Sequence, residues 1–237
     1  MVTTLRRPCL SFPWDVVPNS VLENALWYCR SMTDVQRIRG GRVTRSSLRR
    51  DEVIEQLIDL FLDEGFADMS LSDLAGSLKC SKTTLYAVAP SKEQIIVAVV
   101  RAFFRRATER IESRMMPGDS ALARLDAYLR MISEELTPGS QRFFADVDAF
   151  EPAREIFHNN TLWAAQRVQA LVREALPAGS AVDALFVGTV ASLIMNAIHR
   201  GEIEESTGMG RGAASRALAD LIIGAITATG TSRPPQH

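Results

Sequence analysis

The stretch SLSDLAGSLKCSKTTLYAVAPSKEQ, residues 70–94, decides the fold of this chain. It holds three signals for the start of a helix, at Ser70, Ser81 and Ser91, because a serine hydroxyl can accept a hydrogen bond from a free amide of the first turn. Pro90 ends the middle helix, since the residue before a proline avoids the helical region. We therefore expect two short helices, at about 71–78 and 82–88, and then a long helix at about 92–115.

Upstream of this stretch, residues 49–64 predict another helix. Apolar side chains recur there at helical spacing, and acidic side chains occupy the opposite face. Gly65 follows the last apolar pair, as a left-handed residue at a helix end would. One helix followed by two short ones joined by a tight turn is the layout of a helix-turn-helix, whose last helix can enter the major groove of DNA.

The rest of the chain predicts helices and no convincing strand. Prolines, glycines and the polar loop 201–212 separate segments at about 119–136, 140–150, 153–176, 181–200 and 212–229. The expected fold is all-α. We divide it into an N-terminal extension at 1–36, a basic arm with the helix-turn-helix DNA-binding domain at 37–92, and a helical body at 93–237.

The composition argues against several classes of protein. The 237 residues are 46% hydrophobic, enough for a sizeable core, and the net charge of −1 argues against binding nucleic acid over the whole surface. Three scattered cysteines indicate a reducing compartment, and three distant histidines give no metal-ligand spacing. No apolar run is long enough for a membrane span, and no signal pattern opens the chain. We expect a cytoplasmic protein with no metal, cofactor or membrane contact.

Residues 37–50 form a basic arm that carries six arginines. It is either a solvated linker or an arm that neutralises DNA phosphates, or enters the minor groove, beside the main site. Residues 1–36 contain prolines and isolated aromatic residues. Either they include a short helix at about 20–30, or translation starts at Met32.

A resemblance to a known family rests on the deciding stretch. The segments SLSDLA (70–75), SKTTLY (81–86) and PSKE (90–93), in this order, resemble the DNA-binding segment of the TetR family of transcriptional regulators. Phe61 and Gly65-Phe66 are similar to that family as well. The C-terminal part of the chain matches only in its helical layout, so the resemblance implies, rather than demonstrates, an effector-binding and dimerisation domain at 93–237.

The resemblance implies a ligand-responsive repressor that binds a palindromic operator as a dimer. Lys82, Thr83 and Thr84 would face the major groove, Tyr86 would reach a phosphate, and Lys92 would hold another phosphate with the free amides of the next helix. The full set of candidate DNA-binding residues is Arg45, Arg49, Ser70, Ser72, Lys82, Thr83, Thr84, Tyr86 and Lys92.

Three positions depart from the family pattern. Lys79 stands where the turn usually has glycine. A left-handed conformation there would cost roughly 1 kcal/mol, and the side chain adds positive charge near the DNA face. Val88 and Ala89 replace a histidine and an aromatic residue, which removes one phosphate donor and one ring of the core.

Two C-terminal helices are apolar over more than one face, which indicates burial on two sides. The resemblance implies that helices 181–200 and 212–229 form a two-fold, four-helix dimer interface, which suits a palindromic operator. The candidate interface residues are Phe186, Val190, Ile194, Leu218, Leu221, Ile222 and Ala225.

The middle helices carry bulky apolar side chains that are typical of core packing and equally suit a pocket. The resemblance implies an effector site there, coupled to DNA binding through the helix 92–115. A small apolar molecule fits such a lining better than a polyanion does, because this half has no basic cluster. The candidate ligand-binding residues are Tyr128, Met131, Phe144, Phe150, Phe157, Trp163 and Asn196, with His158 and His199 among further polar candidates.

Two other classes of function stay open. An enzyme is disfavoured because the chain has no nucleophile elbow and no phosphate-binding glycine loop, and because the adjacent Glu134 and Glu135 point to different faces. An interaction adaptor that kept the fold but lost DNA binding is consistent with Val88 and Ala89. Salt-sensitive binding of duplex DNA separates the regulator from the adaptor, and turnover of a substrate would indicate the enzyme.

Overall fold

The fold is built from helices. The computed structural model describes residues 45–116, 118–176, 180 and 182–231. The described residues contain ten α-helices and no strand, so the predicted all-α fold is confirmed. The helices are α1 Arg45–Glu64, α2 Leu71–Ser77, α3 Lys82–Tyr86, α4 Lys92–Arg114, α5 Ala121–Leu136, α6 Gln141–Ala149, α7 Glu151–Ala175, α8 Ala184–His199, α9 Glu202–Thr207 and α10 Arg211–Thr231. The expectations for residues 1–36, Met32 and arm residues 37–44 lie outside the described residues.

Two elements differ from the sequence prediction. Helix α1 begins at Arg45, so the end of the expected basic arm is helical. Helix α9 lies in the segment 201–212, where we expected a polar loop; that prediction was wrong. Gly201 and Gly208 bound α9 in left-handed conformations, with φ of +83° and +71°. Acidic residues in its first turn favour the start of a helix, and Ile203 packs on the core. The helix has only six residues, too few to show a periodic apolar face in the sequence.

The first core forms where α1, α2, α3 and the N-terminal half of α4 meet. Leu57, Leu74, Leu85 and Ile95 are fully buried there. Burial of one such side chain contributes about 2 kcal/mol to folding. The same cluster contains Phe143, Phe144 and Val147 of α6. Helix α6 is therefore part of the packing of the helix-turn-helix, although it lies some fifty residues beyond it in the chain.

The second core lies among α5, α7, α8 and α10, with the end of α4 packed on it. Helix α7 packs against α5 and α8, and α10 packs against α5 and α8. Gly188 lets α7 and α8 approach closely, because a Cβ at this position would lie 2.3 Å from Cγ of Gln169 and 3.0 Å from the carbonyl oxygen of Ala165. Leu125 and Leu171 are fully buried in this cluster.

Helix α6 is also fastened to the loop between α1 and α2 by polar contacts. The Asp146 carboxylate accepts hydrogen bonds from the backbone N–H of Phe66, at 2.5 Å, and of Ala67, at 2.9 Å. The backbone N–H of Ser140 donates to the carbonyl oxygen of Leu62 at 2.7 Å. Arg142 makes an ion pair with Asp68. These contacts fix the loop that leads into the helix-turn-helix.

The described residues from Ser46 onward belong to one compact unit, and the division at residues 92 and 93 stays a prediction. In this part of the chain no helix is both long enough and apolar enough to span a bilayer. Nor do three or more His, Cys, Asp or Glu side chains gather there as ligands for a metal ion.

Candidate functional site

A capping box opens α2. The hydroxyl of Ser70 accepts hydrogen bonds from the backbone N–H of Ser72 and of Asp73, both at 3.2 Å, and the Asp73 carboxylate accepts from the backbone N–H of Ser70 at 2.8 Å. The bonds from Ser70 hold the pKa of Asp73 below its ordinary value, with a smaller contribution from the charge of Lys92. The predicted capping box is confirmed, and it fixes the start of α2 without a buried contact.

The turn between α2 and α3 is a Schellman motif closed by lysine. Lys79 has φ of +50°, the left-handed conformation that usually calls for glycine. The backbone N–H of Cys80 donates to the carbonyl oxygen of Ala75 at 2.9 Å, and that of Lys79 donates to the carbonyl oxygen of Gly76 at 3.1 Å. The lysine carries roughly 1 kcal/mol of backbone strain there, and its exposed side chain adds a positive charge beside α3.

Helix α3 is a short platform with one buried anchor. The hydroxyl of Ser81 accepts a hydrogen bond from the backbone N–H of Thr84 at 3.2 Å and lies 2.9 Å from its side-chain oxygen. Leu85 is fully buried beneath the helix. Lys82, Thr83 and Tyr86 point outward, with Tyr86 48% exposed. The helix thus presents a cation, a hydroxyl and a phenol on one accessible surface.

Two further cations flank this platform. The ammonium group of Lys92, in the first turn of α4, donates to the carbonyl oxygen of Ala67 at 2.9 Å. The guanidinium group of Arg50 donates to the carbonyl oxygen of Val88 at 3.4 Å, just beyond the end of α3. Val88 is buried and fills the core where the family pattern has a larger residue. Both cations therefore brace the helix-turn-helix and lie at its edges.

A cavity of about 50 Å³ lies in the body between α4, α5, α7 and α8. Its walls are mostly apolar. Asn160, His199 and the hydroxyl-bearing Thr108 and Thr161 are among the few polar side chains that line it. The full lining consists of Phe104, Ala107, Thr108, Ile111, Tyr128, Ile132, Glu135, Leu136, Phe157, Asn160, Thr161, Trp163, Ala164, Met195 and His199.

His199 is the buried titratable group of this cavity. Only 5% of its surface is exposed, and its ring stacks on Phe144, with centroids 4.6 Å apart and planes 10° apart. Burial, with a smaller contribution from the nearby charge of Arg211, lowers the pKa of His199 to about 4. The imidazole is therefore neutral at pH 7. Its Nδ1 atom has no hydrogen-bond partner among the described residues.

Helices α8 and α10 expose large apolar side chains. Leu185, Phe186 and Leu193 on α8 are each more than 60% exposed, and Leu221 on α10 is 70% exposed. Leu221 borders an open groove whose other residues are mostly small: Ala217, Asp220, Gly224 and Ala225. Small residues allow another helix to approach closely, and the two helices pack against each other within the chain.

Comparison with known proteins yields structural matches. No sequence-family model matches the chain, and no curated protein matches it. A transcriptional regulator from Saccharomonospora viridis, solved with choline, matches with a TM-score of 0.63 and 19% identity, over 74% of this chain and 96% of its own. A TetR-family regulator from Cytophaga hutchinsonii matches with 0.61 and 15%, over 81% and 100%. AibR, solved with isovaleryl coenzyme A and operator DNA, matches with 0.52 and 17%, over 73% and 97%.

The chain has the fold of the TetR-family regulators. Within that fold, the predicted DNA-binding residues fall into two groups. Ser72 on α2, Lys82, Thr83 and Tyr86 on α3, and Arg49 on α1 are exposed. Three others have contacts within the chain: the Ser70 hydroxyl caps α2, Thr84 is half-buried against Ser81, and Lys92 binds the Ala67 carbonyl. Arg45 is the first residue of α1.

The predicted dimer residues differ in how exposed they are. Leu218 and Ile222 are buried in the core of their own chain, because α10 turns this side toward α5 and α8. Val190 and Ile194 are half-buried, and Ile194 packs on the same core. Phe186, Leu221 and Ala225 are exposed as an interface requires. The exposed Leu185 and Leu193 were not among the predicted interface residues, because a helix that is apolar all round does not reveal which side a partner covers.

The predicted effector residues divide in the same way. Tyr128, Phe157 and Trp163 line the cavity of this TetR-type body. Met131, Phe144, Phe150 and Asn196 do not. Phe144 and Phe150 pack in the first core, Met131 is buried in the second, and Asn196 is half-buried on α8. The sequence analysis missed the contribution of α4, whose Phe104, Ala107, Thr108 and Ile111 follow one another at helical spacing.

Proposed function

We propose that this chain is a TetR-family transcriptional regulator that binds a palindromic operator as a homodimer, acts as a repressor, and releases DNA on binding a small apolar effector. The observation that carries the proposal is the exposed surface of α3. Leu85 anchors the helix, Ser81 caps it, and Lys82, Thr83 and Tyr86 point into solvent together. These side chains are of the types that read base edges and bind phosphates when a short helix enters the major groove.

Charge around α3 supports DNA as the partner. Lys82 is exposed on α3, Lys79 is exposed in the turn before it, and Arg49 is exposed on α1, although the whole chain has a net charge of −1. Lys92 sits in the first turn of α4, where free amides favour an anion, and its ammonium group can exchange the Ala67 carbonyl for a phosphate oxygen. A phosphate contact from such residues positions the protein and makes binding sensitive to salt.

The body supports the remaining parts of the proposal. Exposed apolar residues on α8 and α10 suit a two-fold interface, and two-fold symmetry in the protein suits a palindromic operator. The cavity between α4, α5, α7 and α8 offers the apolar lining of an effector site. Structures of similar fold were solved with choline and with isovaleryl coenzyme A, which are ligands of those proteins.

The test is selection of duplex fragments from a genomic pool by the full chain, followed by titration at two salt concentrations. We expect enrichment of a palindrome bound by two protomers. Lys82→Ala should lower affinity about tenfold and reduce the dependence of log K on log salt by roughly one. Tyr86→Phe, which removes only the hydroxyl, should weaken binding by a smaller factor.

Arg173→Ala is the matched control, because Arg173 is an exposed cation at the far end of α7. It should leave both affinity and salt dependence unchanged. Weak binding that ignores sequence and responds equally to all three substitutions would contradict the proposal and favour the interaction adaptor. If the operator does not overlap a promoter, or if transcription rises when the protein is bound, repression is contradicted while DNA binding stands.

A further inference from the structure

Nδ1 of His199 is one of the buried polar atoms of the body that have no hydrogen-bond partner among the described residues. A buried polar atom without a partner costs about 1–3 kcal/mol, so native proteins rarely keep one without a reason. His199 is held firmly: its ring is stacked on Phe144 and lies edge-on to Phe157, with centroids 5.6 Å apart. Tilting the ring out of its plane would break both aromatic contacts.

Three of the other polar side chains of the cavity already have partners within the chain. The hydroxyls of Thr108 and Thr161 donate to the carbonyl oxygens of Phe104 and Phe157, each at 2.9 Å. The carboxylate of Glu135 pairs with the guanidinium group of Arg110 at 3.3 Å. Most of the remaining lining is aliphatic or aromatic.

Charge around the cavity disfavours an ionic occupant. The Arg211 guanidinium lies 5.4 Å from the centroid of the Phe144 ring, on which His199 stacks, and it donates to the carbonyl oxygen of Gly139 at 2.6 Å. A cation beside the His199 ring would be repelled by this fixed charge. An anion would lose its hydration without gaining a direct cationic partner, because the imidazole itself is neutral.

We propose that the cavity takes a small uncharged molecule that is apolar except for one hydroxyl group, and that the hydroxyl pairs with Nδ1 of His199. A hydroxyl both donates and accepts, so it satisfies this nitrogen in either neutral tautomer. The small volume of about 50 Å³ limits the occupant to a compact alcohol of a few carbon atoms. The proposal rests on the proposed function, in that it names the chemical class of the effector.

The test uses tert-butanol as the probe and the methyl group of Met195 as the reporter, since Met195 lines the cavity. The full chain is labelled with ¹³C at its methionine methyl groups, and Met195→Leu identifies the signal. We expect a saturable shift of that signal and magnetisation transfer from the tert-butyl protons to it. The isosteric cation tert-butylammonium should give neither.

Variants of His199 separate a hydrogen bond from simple filling of space. His199→Phe keeps an aromatic ring beside Phe144 and should weaken tert-butanol binding about tenfold, the equivalent of one buried hydrogen bond. His199→Gln restores a donor and an acceptor and should recover part of that loss. His158→Phe is the control. His158 is an exposed residue of α7, and this substitution should leave tert-butanol binding unchanged.

The outcomes also separate this inference from the proposed function. Equal affinity in wild type and His199→Phe, binding of the ammonium probe, or no transfer to Met195 would each overturn the inference. If the same preparations still bind the selected operator, the proposed function stands without it. If they bind no operator while tert-butanol reaches Met195, the DNA-binding function fails and the cavity assignment remains.

Discussion

Gly65 is the residue at which the loop between α1 and α2 depends most on having no side chain. Its φ is +76°, and a Cβ there would lie 2.5 Å from the Asp146 carboxylate and 2.8 Å from Cγ of Arg142. We expect Gly65→Ala to lower the free energy of unfolding by about 2 kcal/mol, because roughly 1 kcal/mol of left-handed strain is added to displacement of the Asp146 hydrogen bonds. Denaturant unfolding monitored by circular dichroism measures it.

Gly76 provides the matched control for this prediction. It lies in helix α2 at an exposed position, and a Cβ there would meet nothing within 4 Å. Gly76→Ala should therefore raise stability by up to about 1 kcal/mol, since alanine is the better helix former. Equal destabilisation by the two substitutions would mean that Gly65 is not held as described.

His199 predicts a specific dependence of stability on pH. Its pKa is about 4 in the folded chain, against 6.5 for the ordinary imidazole. Between these values the unfolded chain binds a proton that the folded chain does not. The contribution of the neutral imidazole to the free energy of unfolding is therefore complete above pH 6.5 and is lost as the pH falls toward 4. The loss should approach about 3 kcal/mol.

The measurement compares unfolding free energies at several pH values from 7 to 4.5 in wild type and His199→Gln. The difference between them should shrink by most of that amount as the pH falls, because the variant has no proton to bind at this site. His158→Gln, which removes an exposed histidine, is the control and should follow wild type. A constant difference between wild type and His199→Gln across this range would contradict a buried neutral imidazole.

At the scale of elements, α6 connects the body to the helix-turn-helix. Asp146 satisfies two backbone N–H groups of the loop before α2, one of them fully buried. We expect Asp146→Ala to lower the free energy of unfolding by about 3 kcal/mol, since it leaves both donors without a partner. Hydrogen exchange should show faster exchange of the amides of Phe66 and Ala67 before global unfolding.

Arg142→Ala is the comparison on the same helix. It removes the exposed ion pair with Asp68, and exposed pairs contribute at most about 1 kcal/mol. If the two substitutions had equal effects, the Asp146 contacts would not be what fastens α6 to the loop.

Local signals made most elements predictable. The serine caps at Ser70, Ser81 and Ser91, together with Pro90, mark helix ends through contacts within one turn, and the structure has all three caps. What the sequence did not predict depends on contacts distant along the chain. The role of Asp146 rests on a hydrogen bond between residues 80 positions apart, and α6 joined the first core through Phe143 and Phe144.

The same division applies to the candidate site. The exposed set on α3 follows from its cap and from the burial of Leu85, both visible as a local pattern. The cavity and the dimer face do not, because α8 and α10 are apolar on several sides and only packing decides which side stays open. Leu218 and Leu221 are three residues apart on α10, yet one is buried and the other is 70% exposed.

At the scale of the whole molecule, the exposed apolar faces of α8 and α10 predict the assembly. A leucine that stays mostly exposed in the single chain gains burial only against a partner, and small residues beside Leu221 leave room for a helix of that partner.

We expect Leu221→Arg to shift the protein from dimer to monomer, because an isologous two-fold contact would bury the new charge twice. Operator affinity should fall at least about a hundredfold, since each protomer would then hold only one half-site. Sedimentation velocity and operator titration of the same preparation measure both effects. Leu162→Arg is the matched control, since Leu162 is an exposed leucine on α7 rather than on α8 or α10. A Leu221→Arg protein that stays dimeric would show that the partner covers a different surface, whereas a monomer that keeps full operator affinity would remove dimerisation from the mechanism.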